Sequence, residues 1–172
     1  ITKLANFGTR HTLSDTISNT RGIGAARRWI KSEFDKISKN CGDCLNVQYQ
    51  KDFVKKNKRR IVKDVMIVNV VAIQKGSKYP NRYIIMSGDI DSRVSDPNDF
   101  RSDSPGANDN ASGMAGTIEA ARVLSKYTFE NSIIYVGLSG EEQGLFGGRG
   151  LAKHAKEKGW EIIGIMNNDM IG

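Results

Sequence analysis

Apolar positions recur with two different periods along this chain, and the changes of period mark out its elements. From Ser18 the residues Trp29, Ile30, Phe34 and Ile37 fall at helical spacing, which predicts a helix that Thr20 caps and Asn40 ends. Leu45–Val54 alternates through Val47 and Tyr49 as a half-buried strand does, and Ile61–Ile73 is a long β-branched run. Arg82–Ser87, Ser132–Leu138 and Glu161–Asn167 read as short apolar strands. Between them, Asp109–Tyr127 places Met114, Ile118, Ala121 and Leu124 on one helical face, and Gln143–Lys158 reads as another helix. Residues 1–19 are polar and without period. Gly88–Asn108, rich in Asp, Ser, Asn and Pro, is the longest irregular stretch, and a loop of that length inside a compact domain is usually functional or disordered.

From Arg82 onward the order is strand, loop, helix, strand, helix, strand. Alternation of this kind implies parallel strands joined by right-handed crossovers. The expected fold is therefore α/β, with a mixed, largely parallel sheet sandwiched by helices. Residues 1–172 form a single, partial domain in this reading, because the chain stops at Gly172 directly after a strand.

Composition narrows the function classes. The 172 residues fit one domain, and a hydrophobic fraction of 38% supplies a core. No apolar run approaches the ~20 residues that would cross a bilayer, so no membrane span is expected. Lys and Arg number 26 against 19 Asp and Glu, a formal net charge of +7, which invites a nucleic-acid partner. Much of the excess sits in Lys51–Arg60, which reads as the solvated tip of a hairpin, so no nucleic acid is expected. Cys41 and Cys44 follow a helix and precede a strand, the reverse of a redox pair's usual setting. A structural disulfide in an oxidising compartment is the better reading, which implies a secreted or periplasmic protein whose leader is not in this chain.

Candidate chemistry lies at the strand ends, where ligands bind in open α/β sheets. Asp89 and Asp91 follow the strand Arg82–Ser87, Asp109 opens the next helix, Glu141 and Glu142 follow Ser132–Leu138, and Asp169 follows Glu161–Asn167. Crowded carboxylates repel and are costly to desolvate, and Arg93 is the only basic residue among them in sequence. Divalent cations are the economical counter-charge, and two of them would balance these acids better than one. Glu141 and Glu142 are adjacent and cannot point the same way on a regular backbone, so one can hold metal while the other serves as general base. Taken singly, each acid is an ordinary loop residue or, for Asp109, a helix cap.

The segments SGDIDS, SPGANDNASG, LSGEEQGLFG and NNDMIG, in that order, resemble those of the zinc-dependent aminopeptidases of peptidase clan MH, a family that also contains glutaminyl cyclases. The likeness covers Ser87–Gly172 closely and extends more loosely to FGTRHT and RGIGAARRWI. It implies a metallopeptidase catalytic domain acting on a peptide with a free N-terminus. By resemblance, Asp109 bridges two metals, Glu142 and Asp169 each ligate one, and Glu141 is the general base. Asp91 belongs to the catalytic machinery by orienting the ligand two positions before it.

Two departures stand out. Where the family has His-x-Asp this chain has Asp89-Ile90-Asp91, so Asp89 would bind through oxygen. The family's last ligand, a His downstream of the Asn-x-Asp-Met motif, has no counterpart before Gly172, and neither His11 nor His154 matches a ligand position. An all-oxygen set of Asp89, Asp109, Glu142 and Asp169 leaves Mn, Mg or Ca as alternatives to two zinc ions. Beside the exopeptidase reading stand a glutaminyl cyclase-like acyltransferase and an inactive homologue serving as a binding module.

Overall fold

The computed structural model describes residues 1–172 other than Lys58. Five strands form one sheet: β1 (Leu45–Val54), β2 (Val65–Gln74), β3 (Tyr79–Asp89), β4 (Asn131–Leu138) and β5 (Glu161–Asn167), in the spatial order β1-β2-β4-β3-β5. β1 and β2 are an antiparallel hairpin whose register runs from Leu45 opposite Gln74 to Val54 opposite Val65, and β2 pairs antiparallel with β4. β3 pairs parallel with both β4 and β5. The sheet is thus mixed, as expected, and its parallel part is the three strands that carry acids at their ends. Parallel strands joined by helices point their carboxyl ends the same way, which brings Asp89, Ser139 and Asn168 to one edge.

Period-2 alternation sorts the side chains of the central strands onto two covered faces. Val70, Ala72, Ile133 and Tyr135 pack under Ile23, Ala26, Ile30 and Phe34 of α2 (Gly22–Asn40) and Met114 and Ala121 of α3 (Gly113–Leu124). Val71, Tyr83, Ile85, Ile134 and Val136 pack on the other face with Leu151 of α4 (Phe146–Glu157) and with Trp160. Covering on both faces is why β4 reads as a continuous apolar run rather than an alternating one.

Several boundaries differ from the sequence expectations. Residues 1–19 are not a polar fringe: a short helix α1 (Thr2–Ala5) leads into Phe7 and then Thr9–Ser14, all buried against the long loop after β3. Thr20 does not cap α2. The helix begins at Gly22, and the amide of Ile23 donates to the Ser14 hydroxyl, 2.9 Å away. β2 starts at Val65 rather than Ile61, α4 starts at Phe146, and the predicted helix from Asp109 begins only at Gly113. Ahead of it, Ala107–Ser112 is a wound segment in which Asp109 and Asn110 leave helical geometry. In the basic run Lys51–Arg60, Lys58 lies outside the described residues; the remainder spans the end of β1 and the exposed turn towards β2. Cys41 and Cys44 are joined in a disulfide at the end of α2, as expected.

Candidate metal centre

The carboxyl edge of β3, β4 and β5 gathers all the predicted acids into one electrostatic neighbourhood. Burial, then the nearby charges of Asp91, Glu141 and Asp169, push the Asp89 carboxyl up to about 7. Glu141 is also raised to about 7, by burial first and then by Asp91, Glu142, Asp169 and Asp109. Glu142 is raised by burial, with Asp109 and Asp91 adding to the effect and its ion pair with Arg93 opposing it. Asp109 and Asp169 are exposed at the mouth of the site. Burial is the larger cause of these shifts and the crowding of like charges adds to it.

Asn110 closes this edge. Its side-chain amide donates to Asp89 Oδ2 at 3.1 Å and to the Asn168 carbonyl at 2.9 Å, while its Oδ1 accepts from the amides of Gly113 at 3.0 Å and Met170 at 3.3 Å. Both donors and both lone pairs of one buried amide are thereby used. The end of β3, the start of α3 and the segment after β5 are pinned together beside Asp109 and Asp169. Gly113 permits the approach, because a Cβ there would overlap the Asn168 carbonyl and the Asn110 side chain.

On the β4 side, the chain turns at Gly140, whose φ of +75° is open to glycine, and presents Glu141 and Glu142. Asp91, 1% exposed, holds that turn from below. Its Oδ1 accepts from the Glu141 amide and its Oδ2 from the Glu142 amide, both at 3.2 Å, and Oδ2 also accepts from the Thr12 hydroxyl at 2.7 Å. These are the hydrogen bonds of the Asp91 side chain; towards Asp89, itself an acid, the relation is charge repulsion.

The basic residues at the site exceed what sequence proximity indicates. Besides Arg93, the guanidinium of Arg60 donates to the Glu142 carbonyl at 2.6 Å, and Arg10 lies fully buried beneath the acids. Arg10 donates to the carbonyls of Leu4, Ile90, Pro105 and Gly106, at 2.6 to 3.1 Å. Burial lowers its pKa to about 10, and the charges of Asp91 and Asp109 oppose the shift, so it remains a cation. Its distance in sequence from every acid hid it, as it hid Thr12. Asn110 gave no signal either, since it falls in the first turn of the helix expected from Asp109.

The two histidines behave as ordinary residues. Buried His11 lies with Nε2 3.0 Å from the Pro97 carbonyl, and its Nδ1 accepts from the Leu13 amide. His154 lies on α4 against Trp160.

In charge and donor type the acids suit divalent cations: a set of carboxylate oxygens, two of them raised towards neutrality by burial first and by neighbouring carboxylates second. Their geometry is open. Among the described residues no three Asp, Glu, His or Cys side chains converge closely enough to hold a metal ion. A cavity of about 380 Å³ opens beside them, lined by Asp89, Glu141 and Asp169 together with Leu138, Leu145 and Ala152.

Comparison with known proteins gives the family and the fold. The profile described as Peptidase family M28 matches residues 69–172. Over all 172 residues the chain is 46% identical to a protein of Pyrenophora teres f. teres named "Probable zinc metalloprotease", and spans 35% of that protein's length. An aminopeptidase from Aneurinibacillus sp. strain AM-1 superposes with a TM-score of 0.54 and 34% identity over 64% of this chain and 26% of that one. The fold is also that of a Bacteroides thetaiotaomicron glutaminyl cyclase, with a TM-score of 0.74 at 17% identity over 99% of this chain and 59% of that one. Among the described residues no helix is long and apolar enough to cross a membrane.

Proposed function

Because this chain belongs to peptidase family M28, we propose that it carries the catalytic acids of a zinc-dependent aminopeptidase, which removes the N-terminal residue of a peptide with Glu141 as general base. The observation that carries this reading is Glu141 itself. It stands at the mouth of the cavity, on a turn fixed by Asp91, with its carboxyl raised to about 7 by burial and by the acids around it. A carboxyl poised near the working pH can accept a proton from the attacking water and hand it to the leaving amine.

Asp89, Asp109, Glu142 and Asp169 would hold two divalent ions, with zinc favoured by the names of the relatives and manganese, magnesium or calcium as alternatives for the oxygen ligands. Such ions supply Lewis acidity towards the scissile carbonyl and towards water. The positive charge would also relieve the repulsion that raises Asp89 and Glu141. The remaining work falls to the chain: Asn110 keeps Asp89 beside the segment that carries Asp169, and Asp91 keeps Glu141 and Glu142 on one turn. The Cys41–Cys44 disulfide supports an oxidising, secreted or periplasmic setting.

The test is Glu141→Ala in the full-length protein. Hydrolysis of aminoacyl anilides should fall by about 10²–10⁴-fold, the range for a lost general acid–base, with zinc content kept. Full-rate cleavage by this variant would remove Glu141 from the role.

A further inference from the structure

The buried strap Thr9–Ser14 lies outside the matched family span, which begins at residue 69, yet it reaches the underside of the candidate centre. Thr12 is its point of contact. The Thr12 hydroxyl, 4% exposed, donates to Asp91 Oδ2 at 2.7 Å and stands 2.9 Å from Gln143 Oε1. The same Oδ2 accepts the Glu142 amide, and the partner oxygen accepts the Glu141 amide. A carboxylate gripped by one hydroxyl and two amides has little rotational freedom. Removing the hydroxyl takes away the shortest of its three bonds and leaves it held by two amides at 3.2 Å.

The strap is itself fixed. Arg10 is tied to four carbonyls, the Arg10 amide donates to the Ser92 hydroxyl at 3.2 Å, and the Thr9 hydroxyl pairs with that of Ser104 at 3.0 Å. On the far side of Thr12, the Gln143 side-chain amide lies 3.0 Å from His11 Nε2 and 3.0 Å from the Pro97 carbonyl. Thr12 therefore presents its hydroxyl to Asp91 from a rigid support, which a flexible loop residue could not do.

We infer that Thr12 is a positioning residue, which fixes the Asp91 carboxylate and through it the turn that presents Glu141 and Glu142. In its functional consequence this rests on the reading of those two glutamates as the site's acids. The hydroxyl makes a charge-assisted hydrogen bond in a buried place, a bond whose loss is felt at about tenfold or more. Thr12→Val keeps the shape and removes the donor; Thr12→Ser keeps the donor.

The first readout is amide hydrogen exchange of the full-length protein without added metal, which depends on neither zinc nor turnover. Glu141 and Glu142 should be protected in the wild type and exchange about tenfold faster in Thr12→Val, while the β4 amides of Ile133–Val136 keep their rates. Thr12→Ser should return both to within about twofold. The second readout is zinc affinity by calorimetry, expected to weaken by about 10–100-fold in Thr12→Val and to recover in Thr12→Ser. Unprotected Glu141 and Glu142 amides in the wild type, unchanged exchange in Thr12→Val, or equal acceleration throughout β4 would overturn the inference. Where Thr12→Val does not fold, Thr12→Ala is read in the same way. Failure of both to fold beside a normal Thr12→Ser would assign the hydroxyl to stability and overturn the positioning role. An active Glu141→Ala with the expected exchange pattern would sink the functional reading and leave the contact standing.

Discussion

The two sides of the acid rim are built differently. On the β3–β4 side, Asp89 and Asp91 are buried, and Asp91 binds the backbone of the turn that carries Glu141 and Glu142. On the other side, Asp109 and Asp169 are exposed, and their positions come from backbone neighbours stitched together by Asn110. The first side is held by the fold's own hydrogen bonds. The second is held near but not closed, which agrees with the absence of a complete ligand cluster among the described residues. The difference shows two ways of placing an acid: on one side a buried carboxylate bonds the turn directly, and on the other an amide side chain pins the backbone that carries the acids.

Breaking the rigid side should cost stability, and the largest loss is expected at Arg10. Arg10→Met removes donors from four buried carbonyls and the cation beneath Asp91 and Asp109, a change of about 3–5 kcal/mol by chemical denaturation. A cost below about 1 kcal/mol would show that the strap is dispensable to the rim.

A more direct contrast sets Asp91→Asn against Asp169→Asn. The first turns one of the two accepting oxygens into an N–H₂ that faces a backbone N–H, at a cost of about 1–3 kcal/mol. The second alters an exposed side chain, so stability should stay within about 0.5 kcal/mol while zinc affinity falls. Equal thermal shifts in the two variants would erase the distinction between the sides.

A further contrast is a pH slope in the metal-free protein. Asp89 and Glu141 have folded pKa values of about 7, above their ordinary values near 4. The folded state therefore holds more protons between these limits. The contribution to stability is fully present below about pH 4 and is lost as pH rises through about 7. Denaturation midpoints of wild type and Asp89→Asn, compared across that window, should draw together at low pH and part at high pH, with Asp89→Asn the more stable at neutrality. Saturating zinc should favour the wild type, which keeps the Asp89 carboxylate as a ligand.

The architecture was largely written in local pattern. Apolar runs at Ile133–Val136 and Ile84–Met86 announce strands covered on both faces, and the spacing of Ile30, Phe34 and Ile37 announces the stripe of α2. Strand order along the chain implied the parallel part of the sheet. With it came the placement of Asp89, Glu141, Glu142 and Asp169 at one edge, because period and connectivity are properties of neighbours in sequence. What held those acids in place was not legible there. Thr12 lies 79 residues from Asp91, Arg10 lies 96 from Gly106, and Asn110 reaches Asn168 across 58. A hydroxyl, a guanidinium or an amide gains its meaning from the partner it meets. No periodicity records that meeting, since hydrogen bonds between distant segments form only once the hydrophobic core has brought those segments together.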